Sequence, residues 1–405
     1  MTSPTTRPAP SGLLIANLLA QLAFGLLAMT ICLPSMQEWG AIFNTGQAAV
    51  QLTFSGYVVA YGSLQLLYGP LSDRIGRKKI LLFGLAVAFL GSVLAALAPN
   101  LPLLVAARVL QGAGAAAGMV VGRAMVQDLF QGPERTRVMA YVGMAMGLCP
   151  PLATIIGGQL HVRLGWQANF VVMAVLAVVL FVAAWRGLPD HQKATTVQPH
   201  WLRAMLSSYA RLGRERAFIL YVALLSMTTA TFYAFLGGAP IVLGSYGVGP
   251  DGIGYYIMCV PGAYIVGNYL ASHMAHRTGE RMMMDIGQGC TLGGIALMVA
   301  LALGGVNTPL AFSLPLMLVG IGHGLLVPPA LGGTIGLVPA LAGSAAAVAG
   351  LMQQMTGAVG GFAVGLFRHE GALNLGLLML GFALCGAFAQ WLLHRRPSKA
   401  GEVSR

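Results

Sequence analysis

The chain has 405 residues, of which 57% are hydrophobic and only 8% charged, with a formal net charge of +12. So few charges cannot supply a polar shell at this length, which excludes a soluble enzyme, a secreted disulfide scaffold and a disordered chain. The apolar runs are continuous rather than alternating, so they read as membrane-crossing helices and not as a barrel.

Twelve such spans are predicted, each about 20 residues or slightly more, enough to cross ~30 Å of hydrocarbon. The first six cover 13–36, 48–68, 79–98, 102–126, 137–160 and 167–187. The second six cover 217–243, 252–275, 283–304, 311–335, 343–367 and 372–394. The first run is too long for a cleaved signal, and its leader carries a single Arg7. A polar, proline-containing linker at 188–216 divides a half at 1–187 from a half at 217–394, with a tail at 395–405. Residues 201–216 of that linker read as a short amphipathic surface helix.

Basic residues fall almost entirely in alternate loops. With both termini in the cytoplasm, 20 of the 23 Lys and Arg lie on the cytoplasmic side, including three assigned to the loop after span 4; Arg163 and Arg368 lie opposite and Arg108 lies within a span. That asymmetry sets the orientation and explains the positive charge without nucleic acid. The five cysteines are far apart and have no disulfide or metal spacing. No metal site or cofactor is expected.

The chain also echoes itself. SDRIGRKKI follows span 2 and AHRTGERMM follows span 8, so that Arg74, Gly76 and Lys78 match Arg277, Gly279 and Arg281 at one constant offset. A repeat in the same orientation implies two six-helix halves about an axis along the membrane normal, with a substrate cavity between them.

Individual residues carry further expectations. Arg108 is a mid-span cation, which needs a cavity or fixed partners. Either Gln111 and helix carbonyls satisfy it, or it serves proton coupling or solute contact. His323, between two glycines in span 10, reads either as a hydrogen-bonded core group or as a proton carrier, being a mid-span side chain whose unperturbed pKa lies near neutrality. Every acid falls in a loop or at a span end, so the cavity leans towards a neutral, zwitterionic or anionic solute. Polar and aromatic stripes recur at helical spacing: Asn17 and Gln21; Tyr57, Tyr61, Gln65 and Tyr68; Tyr264 and Asn268; Gln353 and Gln354. They read equally as cavity lining or as bonds between helices. Gly69 and Gly76 permit close approach and tight turning. Pro261 and the Pro150–Pro151 pair are expected to bend their spans.

Three segments resemble the major facilitator superfamily. GPLSDRIGRKK at 69–79 is similar to its signature loop. RVLQGAGAAAG at 108–118 is similar to the fourth-helix motif. GMAMGLCPPLATIIGG at 143–158 is similar to the fifth-helix motif of exporters, with Gly147, Pro150, Gly157 and Gly158 in place. The resemblance runs over essentially the whole chain and is nearest the twelve-helix drug:proton antiporters of the Bcr/CflA type. It implies an all-helical, monomeric, multi-pass protein of the bacterial inner membrane. Such a protein exports a small organic solute against protons by alternating access. It also implies a cytoplasmic charge cluster of Asp73, Arg74, Arg77 and Asp128, with Asp73 latching onto the start of span 11. The group's usual acidic residue in the first helix is replaced here by Thr30, which leans towards a dedicated exporter of an anionic or zwitterionic metabolite or siderophore over a multidrug pump. A membrane enzyme fits poorly, for lack of any catalytic motif. A channel fits poorly because the repeat suits alternating access.

Overall fold

Pro34 ends the first helix early, since it offers no N–H to continue the ladder. In the computed structural model, which describes residues 12–190, 207, 209–338, 341–368 and 371–395, α1 (Gly12–Thr30) gives way to a tight 3-10 turn at Leu33–Ser35. The short helix α2 (Met36–Ile42) follows. The expected span 13–36 is therefore a broken element that continues to residue 42. The next helices are α3 (Gln47–Ile75), α4 (Arg77–Ala96), α5 (Leu101–Leu129), α6 (Gly132–Leu164) and α7 (Gln167–Gly187).

The second set comprises α8 (Arg216–Ser245), α9 (Pro250–Ile257), α10 (Cys259–Leu303), α11 (Pro309–Gly336), α12 (Ala342–Val364) and α13 (Ala372–His394). The interruption expected near Pro261 falls at Met258, between α9 and α10. The proline itself sits in the first turn of α10, where its missing N–H is harmless. The Pro150–Pro151 pair lies inside the continuous helix α6. Of the surface helix expected at 201–216, residues 209–212 are helical; most of its first half, like the tail after 395, lies outside the described residues.

Among the described residues, nine helices are long and apolar enough to cross a membrane by length and composition. The remaining spans are helical but carry more polarity, such as Gln353 and Gln354 in α12. Outward faces are covered by exposed leucine, valine and phenylalanine, among them Val175 and Phe388. Lipid, rather than water, suits such a surface.

The internal echo has a structural counterpart. Gly76 has φ 114° between α3 and α4, and its repeat partner Gly279 has φ 72° within α10. Both positions need a backbone that L side chains rarely adopt. Gly279 thus divides α10 into two membrane segments, as Gly76 divides α3 from α4.

Within the first half, α5 packs on α1, α3 and α4, and α7 on α4. Within the second, α10 packs on α11 and α13, and α8 on α12 and α13. Between the halves, α3 meets α12, and α6 meets α9 and the first part of α10. A shift of six spans exchanges these two seams, as a two-fold axis requires.

Small residues make the seams close. The Cβ of an alanine at Gly158 would strike the carbonyl oxygen of Pro250 across the seam, and one at Gly157 would strike, within the first half, that of Ile31 just past α1. Gln51 donates to the Gly237 carbonyl at 2.9 Å and Ser55 to that of Ala358 at 3.0 Å, both across the halves. These contacts lie towards the face opposite the linker.

Two glycines of α6 give a matched test. Gly157→Ala should sharply lower the yield of monodisperse protein, because its obstacle is backbone. Gly143→Ala, with open space around it, should be neutral or slightly stabilising, as alanine favours helix by about 1 kcal/mol. Size-exclusion profiles after detergent extraction check both; equal profiles would mean the α1–α6 contact is looser than described.

Candidate functional site

Arg108 lies at the centre of the first half, with no exposed surface. Its Nη1 donates to the Ala28 carbonyl at 2.7 Å and to Gln111 Oε1 at 2.5 Å. Its Nη2 reaches the Met29 carbonyl at 3.3 Å, and its Nε the Thr53 carbonyl at 3.4 Å. The guanidinium also lies over the Tyr57 ring, 4.3 Å from its centroid. Gln111 passes the chain on to Ser92 Oγ at 2.8 Å. The cost of a buried cation is thus offset by carbonyl dipoles, a side-chain amide and an aromatic face. This geometry matches the first of the two sequence readings: Gln111 and helix carbonyls satisfy Arg108, which is buried among the helices of the first half.

Other expected lining residues turn out the same way. Asn17 donates to the Ala183 carbonyl at 2.8 Å and Gln21 to that of Leu180 at 3.0 Å, which ties α1 to α7. Tyr57 is buried and donates to the Gly25 carbonyl at 2.7 Å. Thr30 is buried and donates within α1, to Leu26 at 2.8 Å. Asn268 returns to the Tyr264 carbonyl at 3.0 Å. Satisfying polar groups internally is the stronger demand in hydrocarbon.

A second set does converge on the seam. Tyr233 of α8 donates to Gln354 Oε1 at 2.8 Å, and Thr229 to Gln353 Oε1 at 3.3 Å. Gln354 packs against Gly62 of the opposite half. Tyr61 stacks on Tyr57 at 5.9 Å, and its buried hydroxyl has no hydrogen-bond partner. Gln65 follows one turn along α3, half-buried. His323 is buried in α11 with Nε2 unpartnered. Its flanking glycines bring α11 against two stretches of α10: Gly322 on Gly287 and Thr291, Gly324 on Tyr264 and Asn268.

At the linker face the residues of the implied charge cluster make the following contacts. Arg77 pairs with Asp73 at 2.5 Å and with Asp128 at 3.3 Å, and donates to Ser72 Oγ at 2.7 Å. It clamps the end of α3 to the end of α5. Arg74 is exposed at the rim. The expected latch to span 11 is not made: the Asp73 carboxylate is 49% exposed and turned to Arg77, and Gly343 has open space beside it. Gly69 makes ordinary contact with Val120, and Gly147 a tighter one with Ile265 across the halves.

Two features escaped the sequence reading. At the far face, His161 bridges Ser35 Oγ and Glu38 Oε2, each at 2.9 Å, beside a cluster of Trp39, Trp166 and Phe170. Partners so distant along the chain leave no local pattern. The other feature is Arg123. It lies inside the predicted span 102–126 although it is one of the three charges assigned to the loop after that span, and α5 runs through it to Leu129.

The Major Facilitator Superfamily model matches residues 13–361, and the chain belongs to that family. It is therefore a multi-pass membrane transporter of small molecules and not an enzyme. It is 27% identical to multidrug resistance protein D of Escherichia coli (strain K12), over 96% of this chain and 98% of that one. It is 28% identical to a chloramphenicol resistance protein of Pseudomonas aeruginosa, over 83% and 80%. Its fold matches a crystallised peptide transporter in complex with alafosfalin, with a TM-score of 0.77 at 15% identity over 97% of this chain and 96% of that chain.

Replacing Arg108 by Ala should remove about 3 kcal/mol or more of stability, because the Ala28 and Met29 carbonyls and Gln111 lose a buried donor. The loss should appear as an earlier unfolding transition in mixed micelles with no solute present. A protein of unchanged stability that had lost transport would return Arg108 to the transport path.

Proposed function

We propose that the chain is a secondary exporter of a small organic solute, coupled to protons and working by alternating access. The observation that carries this reading is the pair of two-fold-related seams, α3 on α12 and α6 on α9–α10. Their tight glycine contacts and cross-bonds lie towards the face opposite the linker, where Gly158 abuts Pro250 and Gln51 reaches Gly237. A seam closed at one end and able to exchange that closure for the other is what alternating access requires. The resistance proteins among the relatives support the outward direction of transport.

In this reading the linker face is cytoplasmic, both termini are cytoplasmic, and the membrane is the bacterial inner membrane. The division at the linker separates two rocking halves. Asp73, Arg77 and Asp128 brace the cytoplasmic ends of α3 and α5, so their grouping moves as one unit. Solute enters from the linker side towards Tyr61, Tyr233 and Gln354. His323 is the proton-carrying candidate: an imidazole buried in α11 and unpartnered at Nε2.

Proteoliposomes test the function. With an imposed pH gradient, purified protein should drive chloramphenicol uphill, and should exchange labelled for unlabelled chloramphenicol without a gradient. Flux proportional to concentration with no exchange acceleration would instead indicate a channel. His323→Gln should abolish the uphill movement while sparing exchange; equal uphill rates would remove His323 from coupling. For orientation, an enzyme reporter that folds only outside the cytoplasm should stay inactive when fused to the carboxyl terminus, and activity there would reverse the layout.

A further inference from the structure

We propose that His161 and Glu38 form a proton-binding latch on the face opposite the linker, and that the bound proton holds the helix α2 across the closed seam. This rests on the alternating-access reading and adds to it the group through which protons on that face act on the closure.

The position of the pair is the first support. At this face Gly158 of α6 abuts the Pro250 carbonyl, and Gly254 of α9 abuts the backbone of Ile155. His161 lies three residues past Gly158, on the same side of α6. Beside it, the seven-residue helix α2 touches both halves. Trp39 packs edge-on to Trp166 at 5.8 Å and stacks on Phe170 at 6.2 Å in the first half. The Gln37 amide oxygen lies against Gly244 of α8 in the second. The turn before α2 also meets α8 and α9. Glu38 stands between Gln37 and Trp39, so α2 pivots on Trp39 and the hold on Glu38 sets how Gln37 meets α8.

The hydrogen bonds around the ring are the second support. Nε2 meets Glu38 Oε2 and Nδ1 meets Ser35 Oγ, each at 2.9 Å. Asn169 Nδ2 donates to the same Ser35 Oγ at 3.1 Å. A neutral ring donates from Nε2 to the carboxylate and accepts the Ser35 O–H at Nδ1. A charged ring donates from both nitrogens, so Ser35 Oγ must then accept from Nδ1 and send its own hydrogen elsewhere. Asn169 Oδ1 is buried without a partner, and turning the amide over presents that oxygen to the hydroxyl. The cluster thus takes up a proton without losing either bond of the ring.

Access and sign complete the argument. The His161 side chain is 8% exposed and that of Glu38 47%, so a proton from water reaches the ring through the carboxylate. Two other charges lie at this rim, both exposed. Asp251 of α9 turns its carboxylate to Gly249, and Arg163 is two residues further along α6. The turn brings the buried Cys32, α1 brings no titratable side chain, and Arg186 of α7 is at the linker end. An imidazolium binds a carboxylate more strongly than a neutral ring does. The placement of α2 that pairs them therefore binds the proton more tightly, and acid on this face favours closure. Exchange of solute for protons requires that direction: an arriving proton closes the seam behind the departed solute.

The test uses the full chain in micelles without solute, with Cys32, Cys149, Cys259, Cys290 and Cys385 changed to Ser and carrying Gln37→Cys and Gly244→Cys. A short bifunctional methanethiosulfonate joins the two cysteines while α2 lies on α8. Dividing the cross-linking rate by that of the same chain with His161→Gln cancels the thiols' own dependence on pH. The ratio should rise about threefold from about pH 8 to about pH 5, the range over which histidines change charge and the weight of a half-exposed ion pair. Glu38→Gln, at a half-exposed position, is a second reference and should give the same rise. A ratio equal at both pH values against both references, or no cross-linking at any pH, overturns the proposal. Chloramphenicol exchange in proteoliposomes separates the two readings. Exchange with a pH-indifferent ratio removes the latch and leaves export standing; a pH-dependent ratio without exchange upholds the latch and counts against export.

Discussion

The first half is organised around carbonyl groups that α1 leaves without partners. A helix ends with up to four unpaired carbonyls, and here the end is forced inside the membrane by Pro34. Water cannot satisfy them at that depth. Arg108 does so, with Nη1 on Ala28 and Nη2 on Met29. A cation at a helix carboxyl end is also favoured by the helix dipole. The same guanidinium reaches Thr53 of α3 and stacks on Tyr57, so α1, α3 and α5 are fixed relative to one another through one side chain. The turn at Leu33–Ser35 and the helix α2 can then be placed at the far face, where Ser35 and Glu38 meet His161.

Glycine does the corresponding work between helices. Gly112 of α5 meets the backbone at Tyr57, Gly118 that at Gln21, and Gly114 that at Ala88. Along α11, Gly320, Gly322 and Gly324 meet α10 backbone in the same manner. Lipid offers no hydrophobic gain for helix association, so such close approach supplies much of the attraction. In the proposed alternating access each half would act as a stiff block, with the α3–α12 and α6–α10 seams as the movable surfaces. Arg77, joined to Asp73 and Asp128, ties the linker ends of α3 and α5 together.

Much of this was legible in the sequence, because hydropathy and repetition are read directly from composition. The helices and the turn glycines 76 and 279 rest on local patterns, whereas the grouping of Arg77 with Asp128 came only from the family resemblance. The partners of Arg108 rest on neither. A mid-span cation announces that compensation exists, but carbonyls and solute compensate equally well on paper. Asn17, Gln21 and Tyr57 were ambiguous for the same reason, since an inward polar group bonds a helix or lines a cavity depending on a neighbour remote in the chain. Arg123 was misassigned because proximity to a span end looked like loop.

The resemblance puts an acid in the first helix where this chain has Thr30, and an anionic cargo would give that difference a physical account. A pump that expels lipophilic cations works against an inside-negative potential, and its cavity needs a carboxylate to attract the cargo. An anionic cargo reverses both requirements. Its outward movement is favoured by about 2.3 kcal/mol per charge for every 100 mV, and entry of a proton in exchange adds a charge moving in the same favourable sense. Such a carrier needs a cation for the cargo and one group able to hold a proton, without a buried carboxylate that would repel the solute. Thr30, bonded within its own helix, is then no deficiency. A carboxylate at that position, next to the carbonyls that Arg108 caps, would compete for the guanidinium and loosen the junction of α1, α3 and α5.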